Sequence, residues 1–328
     1  MLPLLLLLQV TAPPQLTSFL QQNIGFDAQQ LAAIERGEPV VKVLETRDRR
    51  DVAVFGVITT PDGREPYVRA LRDFPTSLRT PNRTQLGIFG NPATEADVAA
   101  VTINSRDVSE MKNCKPGDCV VKLPATDMRR IHDEMNWSAS PADLQTQLNA
   151  YARRRLVEYV TDYRQRGDSA MAIYDDRGNM NMRASDAVAA QFAESPYIYQ
   201  TVPSLRSYFT DYPHGSLPAG AAEVLFWSED VMPRLRPILS VTHLVVYTPP
   251  ELPGMTLAAS KQIYANHYFE AAMDLTAVVE RSPGSYLVVL RRYRFDNLPG
   301  GILNIRGRAI GALRDQLISD LKRQQGQH

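Results

Sequence analysis

Two histidines are the side chains whose type and position best suit ligand chemistry. His243 and His267 each lie within a strand-like run of apolar residues. In such a setting a histidine is either a hydrogen-bonded core residue or a group that orients a ligand or transfers a proton, and for His267 both interpretations stay open. If both histidines point inward they approach each other across the sheet, but two histidines alone make a poor metal site. We therefore predict no metal.

Arginines in the same region are candidate anion-binding groups. Arg292 and Arg294 share one face of the last predicted strand, whereas Arg291 and Tyr293 share the other. One of these pairs must point inward or lie near a strand end. Arg306 falls within the apolar stripe of the following helix, where an unpaired guanidinium would cost several kcal/mol. It is therefore paired, extended towards solvent, or an anchor for the head group or carboxylate of a ligand.

Long strands followed by a helix must position these side chains. Hydrophobic patterning predicts strands over 237–248, 255–281 and 285–295, and a helix over about 302–324. The run 255–281 is long enough for two strands. If it alternates without interruption, nine residues share the face that we expect to be concave: Ile263, Ala265, His267, Phe269, Ala271, Met273, Leu275, Ala277 and Val279. A turn or bulge inside the run would reverse the assignment.

Composition is that of a globular protein and excludes several classes of function. The 328 residues are 44% hydrophobic and 22% charged, which allows a sizeable buried core. Because 36 basic residues balance 36 acidic ones, no global charge favours nucleic acid. A local excess of arginine near the C-terminus is either a solvated helix face or a contact for an anionic membrane surface. The sequence has no P-loop, G-x-S-x-G, H-E-x-x-H or dinucleotide-binding motif, and we predict no cofactor.

Two features favour export from the cytoplasm. Residues 1–12 contain a run of leucines typical of the apolar core of a secretory signal, although no basic residue precedes it, and a buried first helix is the alternative. Cys114 and Cys119 flank a Pro-Gly turn dipeptide, so a tight reversal would bring the thiols together. An oxidising compartment would then join them. We predict a signal peptide over about 1–15, a disulfide, and a periplasmic or secreted protein.

The first predicted elements resemble the opening of a known superfamily. A hairpin over 40–44 and 52–59 leads through Pro61 to a helix over about 65–74 that ends in Leu-Arg-Asp-Phe. This order, together with the terminal strands and helix, resembles the START/Bet v1-like helix-grip domains. The whole chain also resembles exported proteins of bacteria, a resemblance that implies no activity.

The resemblance covers about 40–80 and 237–325, and the stretch over about 90–215 departs from it. That stretch is mostly helical, and its clearest helix begins at Ser140 as N-cap and ends at Gly167. We therefore predict an α+β fold in which an antiparallel sheet grips a long C-terminal helix. We predict that residues 16–328 form a single domain. Its sheet and C-terminal helix come from about 40–80 and 220–328, and the stretch over about 90–215 is a helical insertion.

The resemblance implies a cavity between sheet and C-terminal helix that holds a lipid, sterol or other hydrophobic small molecule. We therefore expect binding or transport of such a ligand. The expected ligand-binding residues are His243, His267, Phe269, Met273, Arg292, Arg294 and Arg306. Because some members of the superfamily are cyclases or hydrolases, an enzyme with a histidine as general base is one alternative. A protein-interaction module with a closed core, working through the helical segment 127–212, is another.

Overall fold

Eight antiparallel strands form the central sheet. The computed structural model describes residues 14–178, 181–196, 201–232, 235–297 and 305–326. The strands lie in the order β1-β2-β10-β9-β8-β7-β6-β3, while β4 and β5 form a separate two-residue ribbon. Their bounds are β1 Val40–Leu44, β2 Asp51–Thr60, β3 Arg83–Ile88, β4 Ile173–Tyr174, β5 Met182–Arg183, β6 Ala222–Asp230, β7 Ile238–Tyr247, β8 Met255–Ala265, β9 Phe269–Glu280 and β10 Ser285–Phe295.

Helices cover both faces of this sheet. Their bounds are α1 Pro14–Phe19, α2 Ala28–Glu35, α3 Arg64–Arg72, α4 Phe74–Ser77, α5 Ser105–Met111, α6 Ala125–Glu134, α7 Pro141–Arg166, α8 Ala184–Ala193, α9 Pro203–Asp211 and α10 Ile305–Gln325. The longest, α7, begins as predicted: Ser140 accepts a hydrogen bond from the backbone of Asp143, and Pro141 occupies the first turn.

One face of the sheet, here called the helix face, packs against the N-terminal helices and α7, α8 and α9. Residues from these helices and from seven strands form the main core. Trp227 on β6 is fully buried there. Its indole Nε1 donates a hydrogen bond to the carbonyl of Asp97 at 2.8 Å, which ties the segment after β3 to the sheet.

The opposite face, here called the groove face, carries α3, α4 and the C-terminal helix α10. Leu317 and Leu321 of α10 are fully buried against β2. A Cβ at Gly56 would lie 2.9 Å from side-chain atoms of both leucines, so a larger residue at this position would force the leucines or α10 to shift. A second small cluster forms at the other side of the sheet, where Leu78 packs on Val224 and Phe226.

The architecture confirms an α+β fold with a large antiparallel sheet, a helical insertion and a C-terminal helix. The predicted β1–β2 hairpin is present, and Cys114 and Cys119 form a disulfide with their Cα atoms 4.4 Å apart. The sequence patterns did not identify β3 or β6. The signal-like residues 1–13 and Ile302 lie outside the described residues.

The expectation that one uninterrupted strand presents a single concave face is wrong. A turn separates β8 from β9, with Tyr268 at a positive φ of 61°, and the β7–β8 register shifts beside Thr242. These irregularities divide the expected set. Ala265 and Phe269 belong to a cluster with Ile238 at the end of the groove face. The others that pack in the main core are Ile263, Ala271, Met273, Leu275, Ala277 and Val279.

Candidate functional site

A groove of about 900 Å³ lies on the groove face between α3–α4 and α10. Strands β6 to β10 form its floor. Side chains from α3, α4 and the loop that follows form one wall, and Gln316, Ser319 and Asp320 of α10 contribute to the other. Because β9 contributes lining residues from Phe269 to Val278, a strand rise of about 3.4 Å per residue gives the groove a length of roughly 30 Å.

Polar side chains occupy the middle of the groove floor. We call them the polar belt. They are Thr242, Ser260, Gln262, Asp274, Thr276, Arg291 and Tyr293. Strand register places Asp274 between Ser260 on one side and Arg291 on the other. In an antiparallel sheet such opposite residues have Cβ atoms about 5 Å apart, so the belt is a continuous surface.

The ends of the groove are apolar. Phe269, Ile238 and Met232 line the end near the β8–β9 turn, whereas Val278 and Leu287 line the end beneath α3 and α10. The belt therefore lies between two hydrophobic patches. A ligand that matches this surface carries a polar group and a hydrophobic body.

Asp274 is the charged group in the belt with open hydrogen-bonding capacity. Its Oδ2 accepts a hydrogen bond from the Tyr293 hydroxyl at 3.3 Å. Its Oδ1 is shielded from solvent and has no hydrogen-bond partner among the described residues. Burial raises the pKa of the Asp274 carboxyl above its usual value, and the nearby charge of Arg291 only partly offsets this. The carboxyl can therefore act as an acceptor for a ligand or as a proton donor.

The charged groups around the belt form pairs. Arg291 donates to Asp320 of α10 at 2.6 Å, and Arg83 donates to Asp230 at 3.0 Å. Arg323 also contacts Asp320. Four arginines and three aspartates line the groove, so it has no large excess of either sign.

A second, smaller cavity of about 420 Å³ lies on the helix side of the sheet, beside α6 and α7. Its lining is largely apolar and includes Leu148 and Leu156. The polar groups at its edge satisfy one another, because Asp127 Oδ1 accepts from Tyr151 at 3.0 Å and from Arg155 at 2.7 Å. This cavity offers fewer open polar contacts than the groove.

The two predicted histidines lie outside the groove and do not approach each other. His243 is fully buried on the helix face, with Nε2 3.0 Å from Glu223 and Nδ1 3.1 Å from the Tyr163 hydroxyl. Burial lowers the pKa of His243 despite the Glu223 hydrogen bond. His267 lies in the β8–β9 turn, and its Nε2 is 2.9 Å from Asp107.

The predicted arginines are also paired within the protein. Arg292 donates to Glu194 at 2.9 Å. Arg294 contacts Asp48 at 2.6 Å, together with Asp51 and Glu270. Arg306 donates to the carbonyl of Arg49 at 3.0 Å and reaches Thr46, both in the β1–β2 loop. Of the alternatives for Arg306, pairing is the one that the contacts support.

Among the predicted ligand-binding residues, Phe269 lines the groove, whereas Met273 belongs to the main core. The belt residues were not predicted as a site. A signal for them exists in the sequence: polar residues recur with a period of two in each of four consecutive strands, as in Ser260/Gln262 and Asp274/Thr276.

Comparison with known protein families finds no family that matches this sequence, and comparison with curated proteins finds no significant match. Within the described ranges, no three His, Cys, Asp or Glu side chains are arranged to hold a metal ion. No helix in the part of the chain that the structure describes is long and apolar enough to cross a membrane.

Proposed function

We propose that the protein binds an amphipathic small molecule in the groove, in an exported compartment, without changing it chemically. The observation that carries the proposal is a groove of about 900 Å³ in which a polar belt lies between two apolar ends. Small-molecule sites are commonly concave, roughly 300–1,000 Å³ in volume, and lined by apolar surface with a few polar groups.

The order of elements supports a helix-grip domain. Strand β2 is followed by α3 and α4, and the last five long strands lead into α10. Both α3 and α10 pack on the groove face, since Tyr67 of α3 clusters with Leu317 and Leu321 of α10. A ligand between sheet and C-terminal helix is the property that the START/Bet v1-like resemblance implies.

The belt argues against a wholly apolar ligand. Covering the partly exposed side chains of Thr242, Gln262 and Thr276 with hydrocarbon would remove water from polar groups without replacing its hydrogen bonds, at a cost of several kcal/mol. A ligand with one polar part avoids this cost. Burial of roughly 400 Å² of its hydrocarbon at the apolar ends would contribute about 10 kcal/mol before the costs of association.

An enzyme that uses the same groove is the second candidate. Asp274 favours it, because a carboxyl with a raised pKa beside a tyrosine hydroxyl can serve as a general acid or base. The histidines favour it less, since His243 and His267 both contact carboxylates away from the groove. The disulfide supports an exported compartment for either candidate.

Native mass spectrometry of the purified full chain, before and after organic extraction, tests the proposal. We expect a stoichiometric adduct that extraction removes and that a panel of lipids and amphiphiles restores. Thr276→Trp places an indole in the groove and should abolish the adduct, whereas Thr161→Trp on the exposed side of α7 should retain it. An unchanged apo mass for the wild-type protein after incubation with the whole panel would overturn the proposal.

A further inference from the structure

The polar belt contains more open hydrogen-bonding groups than a single charged head group would use. Asp274 offers an unpartnered acceptor oxygen. The side chains of Thr242, Gln262 and Thr276 line the groove and make no hydrogen bond to other described residues. Together they provide both donors and acceptors, because a hydroxyl and a carboxamide each supply both.

These groups are distributed over neighbouring strands rather than gathered at one point. Thr242 on β7 is opposite Gln262 on β8, and one pair further along Ser260 is opposite Asp274 on β9. Adjacent strands are about 4.8 Å apart, so the open groups are spread over roughly 10 Å in the direction across the strands. A ligand that satisfies them must carry several polar groups at comparable spacing.

The charges of the belt disfavour an ionic head group. Asp274 would repel a carboxylate or phosphate, and the arginines that line the groove would repel an ammonium. Three of these arginines, Arg83, Arg291 and Arg323, already contact Asp230 or Asp320, and Arg79 donates to the Pro75 carbonyl, so they leave little unpaired positive charge for an anion. A neutral group with several hydroxyls avoids both repulsions. Each hydroxyl donates one hydrogen bond and accepts two, which matches an acceptor such as Asp274 beside a carboxamide.

We propose that the head group recognised by the belt is polyhydroxylated and uncharged, as in a sugar or a cyclitol. This inference rests on the proposed function, because the apolar ends of the groove hold the hydrophobic part of the same ligand. Asp274 accepts hydrogen bonds from two hydroxyls of the head group, and Gln262 donates to and accepts from a neighbouring hydroxyl. The Tyr293 ring, which contacts Phe269 at the adjoining apolar end, offers its surface to a less polar face of the head group.

Isothermal titration calorimetry with the full chain, after organic extraction, tests this inference. The probes are octyl glucoside, octyl phosphocholine, octanoate and free glucose, each below its micelle concentration. We expect octyl glucoside to bind at least tenfold more tightly than the two ionic probes of the same chain length. Asp274→Asn and Gln262→Leu should each weaken octyl glucoside at least fivefold and change the ionic probes less than twofold. Asp315→Asn, an exposed change on α10, should leave every affinity unchanged.

Each outcome decides between the two proposals. Equal affinity for the three octyl probes would overturn the polyhydroxyl inference and leave amphiphile binding intact. Tighter binding of octanoate or octyl phosphocholine would overturn it as well. Absence of binding by any octyl probe, together with a clean apo mass in the lipid panel, would overturn both proposals. Because two variants on different strands are used, a folding defect in one of them does not leave the inference undecided.

Discussion

Asp274→Asn should stabilise the ligand-free protein at neutral pH. The substitution keeps the shape of the side chain and its acceptor for the Tyr293 hydroxyl, and Arg291 retains Asp320 at 2.6 Å. What it removes is a carboxylate charge that burial disfavours. A shielded polar atom without a partner costs about 1–3 kcal/mol, and an amide costs less than a carboxylate in the same place. We therefore expect a gain of about 1 kcal/mol, or about 2 °C in Tm for a chain of this size.

The stability gained by Asp274→Asn should decrease as the pH falls. Because the folded pKa of Asp274 lies above its unfolded value, the folded protein holds this proton to higher pH than the unfolded chain does. The carboxylate therefore lowers the free energy of unfolding at neutral pH. This loss is recovered as the pH falls through the folded pKa towards the usual aspartate range, so the difference between variant and wild type should shrink on acidification.

Urea unfolding at pH 7.5 and at pH 4.5 measures both effects. Asp315→Asn is the matched control, since Asp315 is exposed on α10 and its change should alter stability little at either pH. A loss of stability in Asp274→Asn at pH 7.5, or a difference that does not change with pH, would refute the reasoning. It would mean that Tyr293 and Arg291 already satisfy the carboxylate, and Asp274 would no longer be an open acceptor.

Three further predictions concern contacts elsewhere in the fold. Reduction of the Cys114–Cys119 disulfide should lower stability by about 2 kcal/mol, the chain-entropy value for a loop this short, measured as urea unfolding with and without reductant. Lys261 is buried, with its Nζ 2.6 Å from Asp168. Asp168→Ala should lower the free energy of unfolding by about 3 kcal/mol because Lys261 would lose its counter-charge, whereas Lys261→Met should change it little. Equal losses of stability in the two variants would argue against a buried ion pair. Gly56→Ala should cost about 1–3 kcal/mol by forcing α10 away from β2, and a Tm equal to that of wild type would show that the contact is not tight.

Sequence patterns predicted those helices and strands that depend on neighbouring residues alone. The capped helix from Ser140, the β1–β2 hairpin and the terminal strands all follow from periodicity, capping and turn residues. The side chains of β8 and β9 alternate as the sequence indicates. Which face meets the helices depends instead on a turn at Tyr268 and a bulge beside Thr242, and neither has a distinctive residue signature. The face assignment failed for that reason.

The ligand-binding set was harder to predict because both faces of the sheet are covered. Titratable residues within apolar runs were expected to face a cavity. In the fold, His243 and Arg292 instead meet carboxylates from other elements: Glu223 on the neighbouring strand β6, and Glu194 after α8, 98 residues from Arg292. Pairing across such separations follows from tertiary packing, which one sequence does not reveal. For the last strand, the sequence left open whether Arg292 and Arg294 or Arg291 and Tyr293 point inward. The structure places Arg291 and Tyr293 in the groove.

The distribution of polarity over the sheet explains why the groove is the better site. On the helix face, side chains from α7, α8 and α9 pack on the strands and leave only the smaller cavity of about 420 Å³. Buried charges there pair within the protein, as Lys261 does with Asp168, although Gln191 Oε1 and Arg292 Nε have no partner among the described residues. On the groove face, α10 covers β2, and α4 lies at the side where Leu78 meets Phe226. The strands between them carry polar residues whose capacity is not used by the protein, with Asp274 at the centre. If the belt were only a solvated surface, Asp274 Oδ1 would face water. It is shielded instead and has no partner among the described residues, so a polar ligand group that the Asp274 side chain turns to meet would supply a hydrogen bond that the protein itself does not.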